Sequence, residues 1–165
     1  MKVLFAGMRA LVYVAGFGLL WGWLALAVRR FDPGLGVVLP ESARVLGIVA
    51  IAAGGSLLLT CVGLFVLRGH GTPAPFDPPR EFIAAGPYKF VRNPMYIGGL
   101  TVLLGFGLWQ KSTSIVVFTA LVAVVVHLFV VFLEEPGLEQ RFGSSYINYK
   151  QSVNRWRPRS PKQAG

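Results

Sequence analysis

The chain has 165 residues, of which 54% are hydrophobic and only 14% are charged. Soluble domains carry about 25% charged residues, so this balance excludes an ordinary soluble protein and a disordered chain. Cys61 is the single cysteine, which excludes a disulfide scaffold. Sixteen Lys and Arg against seven Asp and Glu give a formal charge of +9. We attribute this excess to residues that flank membrane segments, and we expect no nucleic-acid partner.

Four apolar runs are long enough, or nearly long enough, to cross a bilayer as helices, which takes about 20 residues. In chain order they cover residues 10–28, 45–67, 95–109 and 115–133. The third run is short, and Pro94 is expected in its first turn. The short link between the third and fourth runs predicts an antiparallel helical hairpin. The predicted fold is one all-α integral-membrane domain, 1–165, with about four transmembrane helices, two of them in residues 1–70.

The distribution of basic residues predicts how the helices face. With four spans, the N-terminus, the loop 68–94 and the C-terminal tail share one side, which carries twelve of the sixteen Lys and Arg. The positive-inside rule therefore predicts that both termini are cytoplasmic, in an inner or plasma membrane. Inside the first span, Gly18 and Gly22 form a small-xxx-small pair, a pattern that favours close packing of helices in lipid.

Polar motifs begin after the second span. Prolines and glycines forbid a regular helix in residues 71–80, which form either a stiff loop or a lid over a site. The segment that follows runs directly into the third span through Asn93 and Pro94. Because a residue before proline is biased to extended backbone, Asn93 either helps to line a wet cavity or simply caps the helix.

Two adjacent carboxylates, Glu134 and Glu135, end the fourth run. Negative charge is unfavourable at a helix C-terminus, so this pair predicts cationic partners such as Arg92, Arg155 or a bound cation. Beyond it, apolar residues recur at helical spacing and predict an amphipathic helix over about 137–154 that lies in the headgroup plane or closes over the hairpin. Gly143 is expected to kink or split that helix.

His127 lies inside the fourth run, where a polar side chain usually faces the interior of a helix bundle. It either makes a hydrogen bond between helices or lines a substrate cavity. His70 and Cys61 are isolated in the sequence, so no metal site is predicted. The sequence also lacks a glycine-rich phosphate loop and a nucleophile elbow.

The order of these motifs resembles one superfamily. The motifs are Gly-Pro-Tyr at 86–88, Val-Arg-Asn-Pro-Met-Tyr-Ile-Gly at 91–98, a hydrophobic hairpin, Glu-Glu-Pro at 134–136 and Phe-Gly-x-x-Tyr-x-x-Tyr at 142–149. They are similar to those of the integral-membrane methyltransferases typified by isoprenylcysteine carboxyl methyltransferase and phospholipid N-methyltransferase. The resemblance covers about 71–158, with 159–165 left as a tail.

This resemblance implies a cytoplasmic-side pocket for S-adenosylmethionine, covered by the C-terminal helix, and a lipid or isoprenylated acceptor that enters from the bilayer. The implied cofactor-binding residues are Tyr88, Arg92, Asn93, Pro94, Tyr96, Gly98, Glu134 and Glu135. The implied catalytic residues are Arg92, Tyr96, Glu135 and Arg155. Substrate binding is expected at His127, Tyr146, Tyr149 and Arg155. Asn93 stands where the family often has His, which excludes an imidazole role there.

The acceptor atom stays open at this point. A carboxylate acceptor needs no base, whereas an amine must lose a proton, for which Glu135, Tyr96 and His127 are candidates. The Asn-Pro-Met-Tyr and Glu-Glu-Pro motifs look like those of phospholipid methyltransferases, and the tyrosine-rich tail looks like that of the isoprenylcysteine enzymes. Alternative functions are an NADPH-dependent membrane reductase on a related scaffold and a small four-helix transporter or membrane partner protein. No acidic residue lies inside a predicted span, which counts against a transporter.

Overall fold

The structure is a computed structural model that describes residues 2–67 and 84–158. Regular structure in these two ranges is entirely helical. The helices are α1 Lys2–Val28, α2 Asp32–Leu35, α3 Ser42–Leu67, α4 Pro94–Trp109, α5 Thr113–Phe129, α6 Glu135–Phe142 and α7 Ser144–Ser152. The predicted loop or lid at 71–80, His70 and the tail 159–165 lie outside the described residues.

Three segments are long and apolar enough to cross a membrane, and a fourth apolar helix is shorter. The three are Gly7–Leu35, Ser42–Leu67 and Thr113–Phe142, and the shorter helix is Pro94–Trp109. As predicted, Pro94 begins α4, where its missing N–H costs nothing. The chain is therefore an all-α integral-membrane protein of three to four spanning helices, with α4 and α5 joined as a hairpin.

The helix of the fourth predicted span, which begins as α5, does not end at the glutamate pair. This corrects the predicted end at residue 133. The helix continues through a π-helical turn, Val130–Glu134, into α6. Pro136 lies in the first turn of α6. Proline has no N–H and its ring clashes with the carbonyl four residues earlier in a regular α-helix, so the backbone before it adopts a wider turn. Both carboxylates consequently lie within one continuous helix and not at its end.

The predicted amphipathic helix is split at Gly143, as its position suggested. Gly143 has φ +54° and ψ −130°, a conformation that residues with a Cβ rarely adopt. After this break, α7 contacts the 3₁₀ turn Gly86–Lys89 that precedes α4, where the Tyr149 hydroxyl donates to the Tyr88 carbonyl at 2.6 Å.

Glycines set the packing of α3 against α4. Gly47 faces Gly105, and Gly54 faces Gly98, each α-carbon lying against the carbonyl oxygen of its partner. The shared spacing of seven residues keeps both contacts on one face of two antiparallel helices. The prediction for Gly18 and Gly22 is wrong as far as the described residues go, because none of them outside the same helix has a heavy atom within 4 Å of a Cβ built at either glycine.

At the end of the molecule opposite to the glutamate pair, polar contacts join the connecting segments of the helices. Ser112 caps α5 by accepting a hydrogen bond from the Ile115 N–H at 3.2 Å. Asp32 accepts one from the Ser114 N–H at 2.8 Å, and Lys111 pairs with Glu41. These contacts fix the α4–α5 turn to the segment between α1 and α3.

Candidate active site

The candidate site lies at the end of the helices where α4 begins and α5 passes into α6. A 3₁₀ turn, Gly86–Lys89, leads into it, and α7 lies across it. Residues 153–157, which we call the C-terminal strap, follow α7 without helical structure. The sequence therefore brings four separate segments to one place.

Glu135 is the centre of the site. It is 3% exposed, and Arg155 donates to both of its oxygens, from Nε at 2.7 Å and from Nη2 at 2.8 Å. Arg92 Nη1 lies 3.2 Å from Glu135 Oε1, and Lys150 Nζ lies 3.6 Å from Oε2. A buried carboxylate needs such partners because burial removes its hydration. The cationic partners predicted for the glutamate pair are confirmed for Glu135.

Glu134 has a different environment, although it is the next residue along the helix. The Tyr96 hydroxyl donates a hydrogen bond to Glu134 Oε2 at 2.7 Å. Glu134 is half-buried and makes none of the ion pairs found among the described residues. The two adjacent carboxylates thus have different partners. Glu135 is surrounded by cations, and Glu134 accepts a hydrogen bond from a neutral phenol.

Arg92 has donors that the described residues leave unsatisfied. Its side chain is 9% exposed, and neither Nε nor Nη1 makes a hydrogen bond within the described residues. Buried donors without acceptors are costly, so Arg92 Nε suits an acceptor that the described residues do not supply. The Arg92 backbone N–H is satisfied by the Asn154 carbonyl at 2.9 Å, which attaches the C-terminal strap here.

Of the two roles that the sequence left open for Asn93, the structure excludes the side-chain cap of α4, and the lining of a wet cavity stays a prediction. Asn93 occupies the N-cap position of α4 with φ −120° and ψ 52°, but its side chain does not cap the helix. The amide Nδ2 instead donates to the Arg155 carbonyl at 3.3 Å. Asn93 is buried and serves as a second attachment of the strap.

The tyrosines of α7 join this helix to the rest of the site. The Tyr149 hydroxyl donates to the Tyr88 carbonyl at 2.6 Å, and Tyr88 packs edge-on against Phe65 at 5.7 Å between ring centroids. Tyr146 is buried beside Glu135. Burial raises the pKa of Tyr146 to about 12, so its phenol stays protonated at physiological pH.

Most of the site residues predicted from the sequence meet here. Those brought together are Tyr88, Arg92, Asn93, Tyr96, Glu134, Glu135, Tyr146, Tyr149 and Arg155. Pro94 is fully buried at the start of α4, and Gly98 lies against α3. Their part in cofactor binding stays a prediction.

His127 differs from its expected placement in the interior of the bundle. It is exposed on α5, and its Nδ1 accepts a hydrogen bond from Trp156 Nε1 at 2.9 Å. Lys150, which lies beside Glu135, is not among the site residues predicted from the sequence, because the apolar stripe dominates the pattern of its helix. Its spacing of four from Tyr146 places both on one face of α7, and this signal was available in the sequence.

The described residues contain no group of His, Cys, Asp and Glu that could hold a metal ion. Buried carboxylates, cations and phenols can instead bind a ligand that carries both an anionic and a cationic group. The model of the phospholipid methyltransferase family matches residues 42–145, more than half of the chain. The chain belongs to the phospholipid methyltransferase family.

Two relatives match parts of this family member. An uncharacterized protein of Haemophilus influenzae is 36% identical over 62 residues, 38% of this chain and 98% of that protein. Phosphatidylethanolamine N-methyltransferase B of Dictyostelium discoideum is 32% identical over 71 residues, 41% of this chain and 36% of that protein. No solved structure matches. The resemblance to integral-membrane methyltransferases is confirmed, and the chain is a membrane methyltransferase.

Proposed function

We propose that the chain transfers a methyl group from S-adenosylmethionine to the amine of a phospholipid headgroup. The observation that carries the proposal is the contrast between two adjacent carboxylates: Glu134 is bound by the Tyr96 phenol, and Glu135 is bound by cations. Beside them, Arg92 Nε has no acceptor among the described residues. The family and the relative named as a phosphatidylethanolamine N-methyltransferase support this acceptor class.

The residues of the site fit the polar groups of S-adenosylmethionine, which carries a carboxylate, an ammonium group and ribose hydroxyls. Arg92 is buried and its Nη1 is ion-paired with Glu135, but its Nε has no acceptor among the described residues and suits the carboxylate. Glu134 is half-buried and suits the ribose hydroxyls, because a carboxylate that accepts their hydrogen bonds and that of Tyr96 still has a lone pair free to accept a proton. When bound, this donor supplies an electrophilic methyl group. The residues around it have mainly to align donor and acceptor, because an in-line displacement depends on orientation.

The state of Arg155 favours an amine acceptor over a carboxylate. Glu135 binds both Nε and Nη2 of Arg155, and this pairing raises the pKa of the guanidinium. A substrate carboxylate would have to displace Glu135 from Arg155 and leave a buried carboxylate with fewer partners. An amine acceptor requires no such exchange.

An amine has to lose a proton before or during methyl transfer, and Glu134 is the group we assign to accept it. The three candidates named from the sequence are all engaged elsewhere. Glu135 is bound by three cations, the Tyr96 hydroxyl donates a hydrogen bond to Glu134, and His127 accepts a hydrogen bond from Trp156. Tyr96 then has the role of orienting Glu134.

The proposal is tested by methyl transfer with purified protein in detergent–lipid micelles. Protein is incubated with methyl-labelled S-adenosylmethionine and either phosphatidylethanolamine or a farnesylated cysteine analogue. We expect label in the phospholipid and a fall of about a hundredfold in the Glu134→Gln variant. Glu41→Gln is the matched control, because Glu41 is an exposed carboxylate at the opposite end of the molecule.

Label in the farnesylated analogue alone would contradict the amine acceptor while leaving methyl transfer intact. Equal activity of Glu134→Gln and the wild-type protein would remove Glu134 from the role of base. Absence of label in either acceptor, in protein shown to be folded, would contradict the proposed function itself.

A further inference from the structure

The contact between His127 and Trp156 joins the C-terminal strap to the outer face of α5. Trp156 Nε1 lies 2.9 Å from His127 Nδ1, and the two ring centroids are 6.1 Å apart. The indole N–H can only donate, so Nδ1 must be the unprotonated nitrogen of the imidazole. Each ring satisfies the polar group of the other on a face of the helix that is open to lipid, where an unpaired polar group is costly.

Trp156 directly follows the residue that holds Glu135. Asn154 accepts a hydrogen bond from the Arg92 N–H, Arg155 binds Glu135, and Trp156 binds His127. Three consecutive strap residues are therefore each bound to residues in or beside the helices of the protein. The position of the Arg155 guanidinium depends on the contacts on either side of it.

The π-helical turn between α5 and α6 brings His127 and Glu135, the two residues that bind the strap, to one face of the helix. His127 and Glu135 are eight residues apart, which in a regular α-helix would rotate them by about 80° from each other. The wider turn Val130–Glu134 accommodates about one extra residue, so Glu135 takes the place of the seventh residue, about 20° from His127. Adjacent strap residues can then bind both side chains on one face.

We infer that His127 is a positioning residue that acts through Trp156, fixing the strap in the register at which Arg155 holds Glu135. The inference rests on the proposed function in one respect, that the Glu135 cluster is where the donor and the acceptor bind. Without the His127 contact, the strap is hydrogen-bonded to the described part of the chain through Asn154 and Arg155. The fraction of protein with Arg155 in place falls, and the apparent affinity for a ligand of the site falls by the same factor.

The experiment compares His127→Leu, His127→Asn and Trp156→Phe with the wild-type protein. Asn is the conservative variant, since its side-chain oxygen can take the place of Nδ1 as acceptor. Trp109→Phe is the matched control, because Trp109 is a half-exposed tryptophan at the opposite end of α4. The readouts are S-adenosylhomocysteine affinity by calorimetry and the indole N–H resonance of Trp156 in nitrogen-15 spectra, assigned by its absence in Trp156→Phe.

We expect His127→Leu and Trp156→Phe each to weaken S-adenosylhomocysteine binding by about threefold to tenfold. The double variant should lose no more than either single variant, because both remove the same contact. His127→Asn should retain most of the affinity, and Trp109→Phe all of it. In His127→Leu the indole resonance of Trp156 should move towards the position of an indole without a hydrogen-bond acceptor.

Two results would overturn the inference. One is an unchanged Trp156 resonance in His127→Leu, which would show that the contact does not exist in the protein in solution. The other is unchanged affinity in folded His127→Leu and Trp156→Phe. If the wild-type protein itself binds no S-adenosylhomocysteine, the proposed function is contradicted. The inferred effect of His127 on ligand binding is then contradicted as well. The resonance would in that case still report whether the contact forms.

Discussion

Glu135 shows how a carboxylate can be kept charged inside a membrane protein. Arg92, Lys150 and Arg155 come from three different segments and converge on its two oxygens. Each partner compensates for the lost hydration of the carboxylate, and the carboxylate compensates for theirs. Removing one member leaves the others buried without full compensation, which usually costs more than the interaction itself contributes.

We predict that Glu135→Gln lowers the free energy of unfolding by about 3 kcal/mol, because Arg92 and Arg155 then lack a counter-charge. Glu139→Gln is the control: Glu139 pairs with Lys150 where the side chains are 36% and 38% exposed, and such a pair contributes about 1 kcal/mol or less. The measurement is reversible denaturation in detergent, followed by helix content. Equal losses in the two variants would show that the buried cluster does not stabilise the fold.

Close packing between α3 and α4 fixes the position of α4, which begins at the candidate site. A Cβ at Gly54 would lie 2.7 Å from the Gly98 carbonyl oxygen, and one at Gly47 would lie 2.6 Å from the Gly105 carbonyl oxygen. Those distances are too short for any side chain, and the atoms met are backbone, which cannot rotate away. The two helices must therefore separate to accept even one methyl group.

Gly54→Ala is predicted to destabilise the protein by about 2 kcal/mol through this forced separation. Its neighbour offers a close control, since a Cβ at Gly55 meets nothing within 4 Å. Gly55→Ala should leave stability unchanged or raise it slightly, because alanine favours helix over glycine. Thermal unfolding of both variants in the same detergent tests the difference. A loss in Gly55→Ala as large as that in Gly54→Ala would contradict the packing described here.

The existence of each long helix could be predicted from its apolar run, but the faces in contact could not. A spanning helix is apolar all round, so its sequence does not distinguish a face that meets lipid from one that meets protein. Gly18 and Gly22 fit a packing pattern as well as Gly47 and Gly54 do, yet within the described ranges it is Gly47 and Gly54 that lie at a contact between helices. The π-helical turn was likewise missed, because nothing in the run before Pro136 distinguishes it from a regular helix.

The two ends of the molecule differ in charge and in chemistry. The site end carries the described cations Lys89, Arg92, Arg141, Lys150, Arg155 and Arg157, and the other end carries Arg29, Arg30, Arg44 and Lys111. At that other end, two of the cations are paired with Glu41. We propose that the site end is cytoplasmic, since basic residues accumulate on that side of the membrane.

Cysteine labelling in intact cells tests this orientation. Val38→Cys lies between α2 and α3, where the native side chain is 86% exposed, and Gln151→Cys lies on the exposed face of α7. The native Cys61 is fully buried and should react little. A membrane-impermeant maleimide should label Val38→Cys in intact cells and Gln151→Cys only after permeabilisation. The reverse pattern would place the site on the outer side.

The candidate site was predictable to the extent that its residues are adjacent in recognisable motifs. Arg92, Glu134 and Glu135 stand in such motifs, and their convergence follows from the hairpin between them. The division of roles between the two carboxylates was not predictable, because it depends on the π-helical turn and on the path of the strap. The partner of His127 could not be predicted either, because no local sequence pattern connects residues 127 and 156.

The central claim, that the Glu134 and Glu135 cluster binds a sulfonium methyl donor, is tested most directly by calorimetric titration. Detergent-purified protein is titrated with S-adenosylmethionine, S-adenosylhomocysteine and NADPH, and the titrations are repeated with Glu134→Gln and Glu41→Gln. We predict binding of the two adenosyl ligands, lost or strongly weakened in Glu134→Gln and retained in Glu41→Gln. Binding of NADPH alone, or equal binding by both variants, would contradict the account.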